Sequence, residues 1–383
     1  MKKKWLYSIT LIVVIVIAVT ACKLIFFKEP EKSTIQQNQK EIKQEEKETK
    51  QKDITESNEE TLKEKGYLSI TYTCSDPSVK TGRMMNFYTY DLESGKLDNR
   101  AQIPFDSQYA LGVISLSDQK IFYSGAAKKK KGGVRQSSDH LCQYDLLNGK
   151  TSELEQENCA YNDIVPIGNG KLLVTAIPVH AIGTGIFDLN TKKFSYLYEQ
   201  SKNEDGYIDF PYTTRPVKLN YNYNYKTFIN TYVLEKHLYS YGVRSGKKPL
   251  KYRIALVDNE LNIKNECIFN LSLFYGDIGA VAQTSSDSAI LILYLENSMK
   301  QEFYKVDFSK QTCKKMKSPF SGMSYIYSLI TIDDGKSYYI KGIHKDGRSG
   351  LFYYDCSNDK ATPILLDDSE KENHIVNFCF VAN

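Results

Sequence analysis

The sequence predicts an all-β fold, a six-bladed β-propeller with seven blades as the alternative, behind an N-terminal membrane anchor and a charged linker. Three observations predict it. First, a phrase recurs in which an aromatic or aliphatic run meets an Asp, a polar turn and a further strand. It stands at Phe87–Lys96, Leu141–Lys150, Gly185–Lys193, Ile254–Asn262, Phe303–Thr312 and Leu351–Lys360. Its aspartates are Asp91, Asp145, Asp188, Asp258, Asp307 and Asp355; four of the five intervals fall between 43 and 54 residues and the fifth is 70. A period of about 40 to 50 residues with about four strands per unit marks propeller blades. Second, grouping the strands in fours leaves three at the front of the chain and one at the back, which together complete a blade. Third, 29 Tyr and 17 Phe against one Trp suit many short, half-buried strands.

The elements follow in order. Met1–Lys4 is basic and Trp5–Cys22 (WLYSITLIVVIVIAVTAC) is a long apolar run, so residues 1–27 read as a signal or membrane anchor. Two forms of anchor fit. The run is long enough to span a bilayer uncleaved, with the lysines cytoplasmic and the rest of the chain outside. Alternatively, Val19-Thr20-Ala21-Cys22 resembles a bacterial lipobox, in which Cys22 is lipidated after cleavage before it. Both place a tethered domain on the exterior face of a bacterial cytoplasmic membrane. Residues 28–65 carry nine Lys and eleven acids with few apolar side chains. Such a segment buries too little surface to offset its ordering entropy and reads as a charged flexible linker.

From Gly66 the texture changes, and residues 66–383 form the propeller domain. Tyr67–Cys74, Met85–Leu92 and Lys96–Pro104 are the three leading strands. Complete units then follow, opening with Leu111–Leu116, Asp163–Ile167, Pro216–Tyr221, Gly279–Thr284 and Ser324–Ile332. His374–Val381 (HIVNFCFV) is the single trailing strand, expected to pair with the first segment and close the ring without an exposed edge. The 70-residue interval between Asp188 and Asp258 is where a seventh, weaker repeat would lie.

The final unit reads Asp334-Gly335-Lys336-Ser337-Tyr338-Tyr339, a hairpin, then Leu351-Phe352-Tyr353-Tyr354-Asp355 and Lys360. This pattern resembles the repeat of TolB-like and WD40-like bacterial propellers over most of residues 67–382. The Pro of the usual S-P-D-G-K opening and the Trp-Asp pair of eukaryotic repeats are absent. The resemblance implies a propeller serving as a binding or scaffolding platform, and carries over no ligand and no functional residue.

Chemistry is sparse. His140, His180, His237, His344 and His374 stand in no ligand spacing, so no metal site and no cofactor are expected. No nucleophile elbow, P-loop, kinase or sialidase-type motif is present, and no catalytic residue is selected. The repeat aspartates read as turn formers, because an Asp side chain bonds backbone amides two residues on. Seven cysteines follow Cys22 at no framework spacing and read first as free, mostly buried thiols serving as small apolar residues; Cys74 and Cys379, on neighbouring first and last strands, are the pair that a disulfide would join if one forms. Of the net charge of +4, the anchor takes +4 and the linker −2, leaving +2 for the propeller, which excludes a broad basic surface for nucleic acid.

One charge pattern stands above this background. Hairpins between the second and third strands of alternate blades carry Lys128, Lys129, Lys130, Lys131 and Arg135; Lys236, Arg244, Lys247 and Lys248; and Lys345 and Arg348. On one face they would form a rim that concentrates anions; solubility alone is the competing account. Leu219–Tyr225 (LNYNYNY) reads either as a sugar-stacking surface or as aromatic strand packing. The expected function is a membrane-tethered, non-catalytic binding or scaffolding module whose partner is an envelope protein or an anionic polymer. The alternative is a propeller hydrolase or lyase acting on envelope carbohydrate.

Overall fold

Short apolar runs separated by tight turns build a ring of antiparallel sheets in the computed structural model. It describes residues 66–107, 109–126, 139–155, 160–177, 183–197, 201–202, 208–209, 213–214, 219–233, 251–270, 276–295 and 300–382. The chain divides into units of residues 1–57 and 58–383, and the first lies outside the described residues, as do Cys22 and the linker as far as residue 65.

The leading strands are β1 (Tyr67–Ser75), β2 (Arg83–Asp91) and β3 (Leu97–Pro104). Blade 2 is β4 (Gly112–Ser115), β5 (Lys120–Ala126), β6 (Asp139–Asp145) and β7 (Thr151–Glu155). Blade 3 is β8 (Ala160–Pro166), β9 (Lys171–Ile177), β10 (Gly183–Asp188) and β11 (Lys193–Tyr196). A two-stranded hairpin, β12 (Ser201–Lys202) with β13 (Ile208–Asp209), precedes blade 4. Blade 4 holds β14 (Thr213–Thr214), β15 (Asn220–Asn222), β16 (Thr227–Val233), β17 (Lys251–Asp258) and β18 (Ile263–Asn270). Blade 5 is β19 (Gly276–Ser285), β20 (Ser288–Leu295), β21 (Gln301–Asp307) and β22 (Thr312–Met316). Blade 6 is β23 (Met323–Ile330), β24 (Ser337–His344), β25 (Ser349–Asp355) and β26 (Lys360–Leu366), and β27 (His374–Val381) ends the ring.

The sheet containing the N-terminal strands runs β27-β1-β2-β3, so the last strand takes the innermost place of the first blade. Six blades result, and among the described residues the long interval adds no seventh. Its extra residues contribute the β12–β13 hairpin and split the inner strand of blade 4. There β14 pairs the far end of β16 and β15 the near end.

Blade stacking explains the sequence texture. A middle strand is covered on both faces by neighbouring blades, so it reads as a continuous apolar run rather than an alternation. Ala289–Leu293 of β20 and Ile121–Tyr123 of β5 are buried throughout, whereas outer β22 and β11 carry exposed residues such as Lys314 and Lys193. The cores lie between blades: Ile254, Leu256, Leu291 and Leu293 between blades 4 and 5, and Ile292, Phe320, Ile340 and Phe352 between blades 5 and 6. Ile375 and Phe378 of β27 share a cluster with Leu68 and Ile70 of β1 and Ile330, Tyr339 and Leu351 of blade 6. At about 1.5–3 kcal/mol for each fully buried side chain, that cluster fastens the two ends of the ring together.

Side chains of β1 also bridge to blade 2. The Tyr67 hydroxyl donates to the Ile114 carbonyl at 2.9 Å and accepts from the Leu116 amide at 2.8 Å. Thr71 Oγ1 donates to Gly112 O at 2.7 Å, and Ser69 Oγ accepts from Ile114 N at 2.9 Å. All are buried, and burial pushes the Tyr67 hydroxyl well above the usual phenol range.

The register keeps apart the one cysteine pair that a disulfide would join. Cys379 lies opposite Ser69, while the far end of the pair sets Thr73 opposite His374, one residue short of Cys74. Five residues of strand separate the two positions by about 16 Å, beyond the roughly 7 Å limit between disulfide-bonded Cα atoms. Cys74 Sγ instead accepts from Asn86 Nδ2 at 3.0 Å, and both cysteines are thiols. The two strands are neighbours as expected, but they run antiparallel, so two cysteines that both lie toward the C-terminal ends of their strands fall at opposite ends of the pair.

Removing the Tyr67 hydroxyl strands a buried carbonyl and a buried amide at once. Tyr67→Phe is therefore expected to lower stability by about 1–3 kcal/mol in urea unfolding, and a fully buried phenyl ring with no loss would show that the bridge carries no weight.

Candidate functional site

Strand polarity sorts the loops into two faces. Turns between first and second strands, and between third and fourth, lie at one end of each blade. Hairpins between second and third strands and the links between blades lie at the other. All six repeat aspartates stand on the turn face, each at the end of a third strand. Asp91 Oδ1 accepts from the amides of Glu93 and Ser94, Asp145 Oδ1 from Leu147 and Asn148, and Asp188 Oδ1 from Asn190 and Thr191. Asp258, Asp307 and Asp355 accept from Glu260, Lys310 and Ser357 in the same way. Three or four residues after each Asp comes a left-handed residue: Gly95, Gly149, Lys192, Leu261, Gln311 and Asp359. The aspartates are thus held by backbone and serve the turns rather than a reaction. Bonds from the Ser309 hydroxyl and the Lys310 amide hold the Asp307 carboxyl down at about 2, and backbone bonds led by that of Thr191 lower Asp188.

The inner strands β4, β8, β15, β19, β23 and β27 surround the centre of the ring, which the described residues leave with little free space. One cavity of about 10 Å³ lies among Asp163, Asn220, Val281, Ser328, Leu329 and Asn377. Another of about 20 Å³ lies among Leu219, Tyr223, Ile330, Cys379 and Phe380. Neither holds more than a water or so. Asp163 is the one carboxylate among the described residues of either lining, and it is buried.

Leu219–Tyr225 does most of this filling. Asn220 Nδ2 donates to Val281 O at 2.9 Å and to Leu329 O at 3.0 Å, joining the inner strands of blades 4, 5 and 6. The Tyr223 hydroxyl donates to Pro166 O of blade 3, and its ring meets Phe380 edge-on at 5.2 Å. Asn224 Nδ2 reaches Ile332 O at 3.1 Å, and the Tyr225 hydroxyl reaches Asp334 Oδ1 at 3.0 Å. Of the two readings of this segment, packing is the one observed: it straps four blades together, and burial pushes the Tyr223 hydroxyl well above its usual range. The sequence signal was the strict Asn/Tyr alternation, which puts the short amides on the channel side of an inner strand.

Of the candidate anion rim, Lys345 and Arg348 lie among the described residues. Lys345 is exposed, whereas Arg348 Nη2 stands 2.6 Å from Asp346 Oδ2, a pair that holds the Asp346 carboxyl well below its usual range. Lys128, Lys129, Lys130, Lys131, Arg135, Lys236, Arg244, Lys247 and Lys248 lie outside the described residues, but the strands that bracket them, β5–β6 and β16–β17, open on the same face as Lys345. Among the described residues no group of three or more His, Cys, Asp or Glu is placed to hold a metal ion.

That loop face also holds a groove of about 400 Å³ between blades 5 and 6, which the sequence did not announce because its walls come from separate elements. Phe303, Met323 and Ile326 form an apolar floor, and Lys300, Ser318 and Ser324 stand on its sides.

No family model matches this chain, and no curated protein matches it. Among solved structures it is similar to TolB from Acinetobacter baumannii, at 13% identity and a TM-score of 0.43, over 81% of this chain and 66% of that one. It is also similar to a putative 6-phosphogluconolactonase from Bacteroides fragilis, at 11% identity and a TM-score of 0.43 over 84% and 99% of the two chains. An oligogalacturonate lyase in complex with manganese matches at 11% identity and a TM-score of 0.39, over 80% and 87%. These likenesses extend to propellers of different activities; the six-bladed ring rests on this chain's own strand order.

Two outcomes follow from the site. Asn220→Leu keeps the branched outline of the side chain but removes the donor that Val281 O and Leu329 O share, and is expected to cost about 2 kcal/mol in chemical unfolding. Asp307 contributes stability that is complete above the ordinary carboxylate value of 3.8 and is lost as pH falls through about 2. Asp307→Asn is expected to melt a few degrees below the parent at neutral pH, the gap closing as pH is lowered toward 2; a gap independent of pH would remove the charge from the account.

Proposed function

We propose that this protein is a membrane-tethered β-propeller outside the bacterial cytoplasmic membrane, working as a non-catalytic binding or scaffolding module. The observation that carries the reading is the filled channel. The inner strands, where a propeller would hold a small substrate, are occupied by Asn220, Tyr223 and their neighbours, with one buried carboxylate rather than a convergent set. A closed channel leaves the loop face as the surface open to a partner.

In this reading the N-terminal run tethers the chain, through a lipid on Cys22 or as an uncleaved span, and residues 28–65 give reach. The basic hairpins then meet a partner at the envelope, an anionic polymer or an acidic protein surface. Attraction of this kind is screened by salt, since the Debye length shrinks from about 10 Å at 0.1 M to about 3 Å at 1 M.

Purified residues 66–383 should retain an anionic wall polymer, or a protein from detergent-solubilised envelope, in a pull-down. Retention is expected to fall steeply at high salt, and replacing Lys128 to Lys131 with Ser should weaken it without lowering the melting temperature. Turnover of an envelope carbohydrate by the same preparation, lost on removal of Asp163, would overturn the non-catalytic reading.

A further inference from the structure

We propose that the groove between blades 5 and 6 is a binding site for a short stretch of an anionic saccharide chain. This rests on the reading of the protein as a binding module and gives that module a ligand class and a location.

The groove is preformed. Gln301 clamps the bulged inner strand β23 from blade 5: its Nε2 donates to Ile326 O at 2.7 Å and its Oε1 accepts from Ile326 N at 2.8 Å. The Tyr294 hydroxyl donates to the same carbonyl at 2.8 Å. Tyr294 can lie there because residue 279 is Gly; a Cβ at that position would stand 2.1 Å from the ring. From this anchor an aromatic series runs outward. Tyr294 stacks on Tyr325 at 5.3 Å, and Tyr325 tilts against Tyr327 at 4.9 Å. The Tyr327 ring, 38% exposed, has Lys341 Nζ 5.8 Å from its centroid. The Gln301 clamp and this tyrosine stack hold Ile326 and Ser324 of the groove in place before any ligand arrives, so little ordering entropy is lost on binding.

The lining matches a sugar ring. Phe303, Met323 and Ile326 offer an apolar floor to the C–H face of a pyranose, while Ser318 and Ser324 stand at the sides with hydroxyls. A volume of about 400 Å³ lies within the roughly 300–1,000 Å³ of small-ligand sites. Charge selects the acid. Glu302, the carboxylate in the lining, is already held by Lys315 Nζ and by the Tyr304 hydroxyl at 2.8 Å. Lys300 stands in the lining, and Lys317 and Lys345 are exposed on segments that adjoin it: Lys317 precedes Ser318 of the lining, and the Lys345 backbone amide donates to Gly322 O at 2.9 Å, next to Met323. A carboxylate or phosphate carried on the sugar chain meets these ammonium groups as the ring meets the floor.

The test is titration calorimetry of residues 66–383, whose ring closes within Tyr67–Val381, against four probes. These are a hyaluronan hexasaccharide, a phosphorylated maltohexaose, neutral maltohexaose and a short poly-glutamate. Binding of either acidic saccharide supports the site and identifies its acid group. Maltohexaose and poly-glutamate are expected to bind at least about tenfold more weakly, since each lacks one half of the recognition. Ser318→Trp, which fills the groove, and Lys300→Glu are each expected to weaken binding about tenfold with the melting temperature unchanged. Parental affinity in both variants would overturn the site, and if replacement of Lys128 to Lys131 alone abolished binding, the module reading would survive without the groove. Poly-glutamate binding as tightly as the saccharides would overturn the sugar. Failure of both acidic saccharides overturns the groove, whereas the module reading stands or falls with the envelope pull-down.

Discussion

The pairing of β27 with β1 is the constraint on which the rest of the molecule depends. A ring of sheets is stable only if its first and last blades are joined, and here the join is non-covalent. Backbone pairing from Tyr67–Val381 to Thr73–His374 supplies the ladder. Ile375 and Phe378, shared with blade 6, supply the apolar seal. The hydroxyls of Tyr67, Ser69 and Thr71 then carry the same strand pair across to blade 2. Three successive blades are thereby registered by one strand pair, and the first and last strands of the ring are paired instead of left as open inner edges.

The two faces of the ring divide its labour. On the turn face each blade repeats one solution, an Asp that accepts backbone amides followed by a left-handed residue. The loop face receives the hairpins between second and third strands, the links between blades, and the groove beside Gln301. Variation is tolerated on that face because the sheets beneath are already closed.

Blade 4 departs from the pattern, and the departure has a use. Its inner strand is split into β14 and β15, and Leu219–Tyr225 turns its amides and phenols into the channel. A continuous inner strand would satisfy only its own sheet. The split one spends Asn220, Tyr223, Asn224 and Tyr225 on carbonyls and a carboxylate of blades 3, 5 and 6, so the channel is closed by cross-blade hydrogen bonds.

The period, the six blades, the three-plus-one remainder and the turn role of the repeat aspartates were all legible in the sequence, because each follows from local pattern: apolar runs, turn chemistry and spacing. The Asn/Tyr alternation of Leu219–Tyr225 was visible too, but which partners it would find was not. Tertiary structure alone decided register and convergence. Cys74 and Cys379 lie on adjacent strands yet at opposite ends, because the strands are antiparallel and each cysteine lies toward the C-terminal end of its own; the exact partners, Cys379 with Ser69 and Thr73 with His374, come from the register of the closed ring. The groove likewise unites Lys300, Ser318 and Met323, three elements that no motif links. Patterns within one strand are written in neighbouring residues; contacts between blades arise only when the ring closes and fixes which side chains meet.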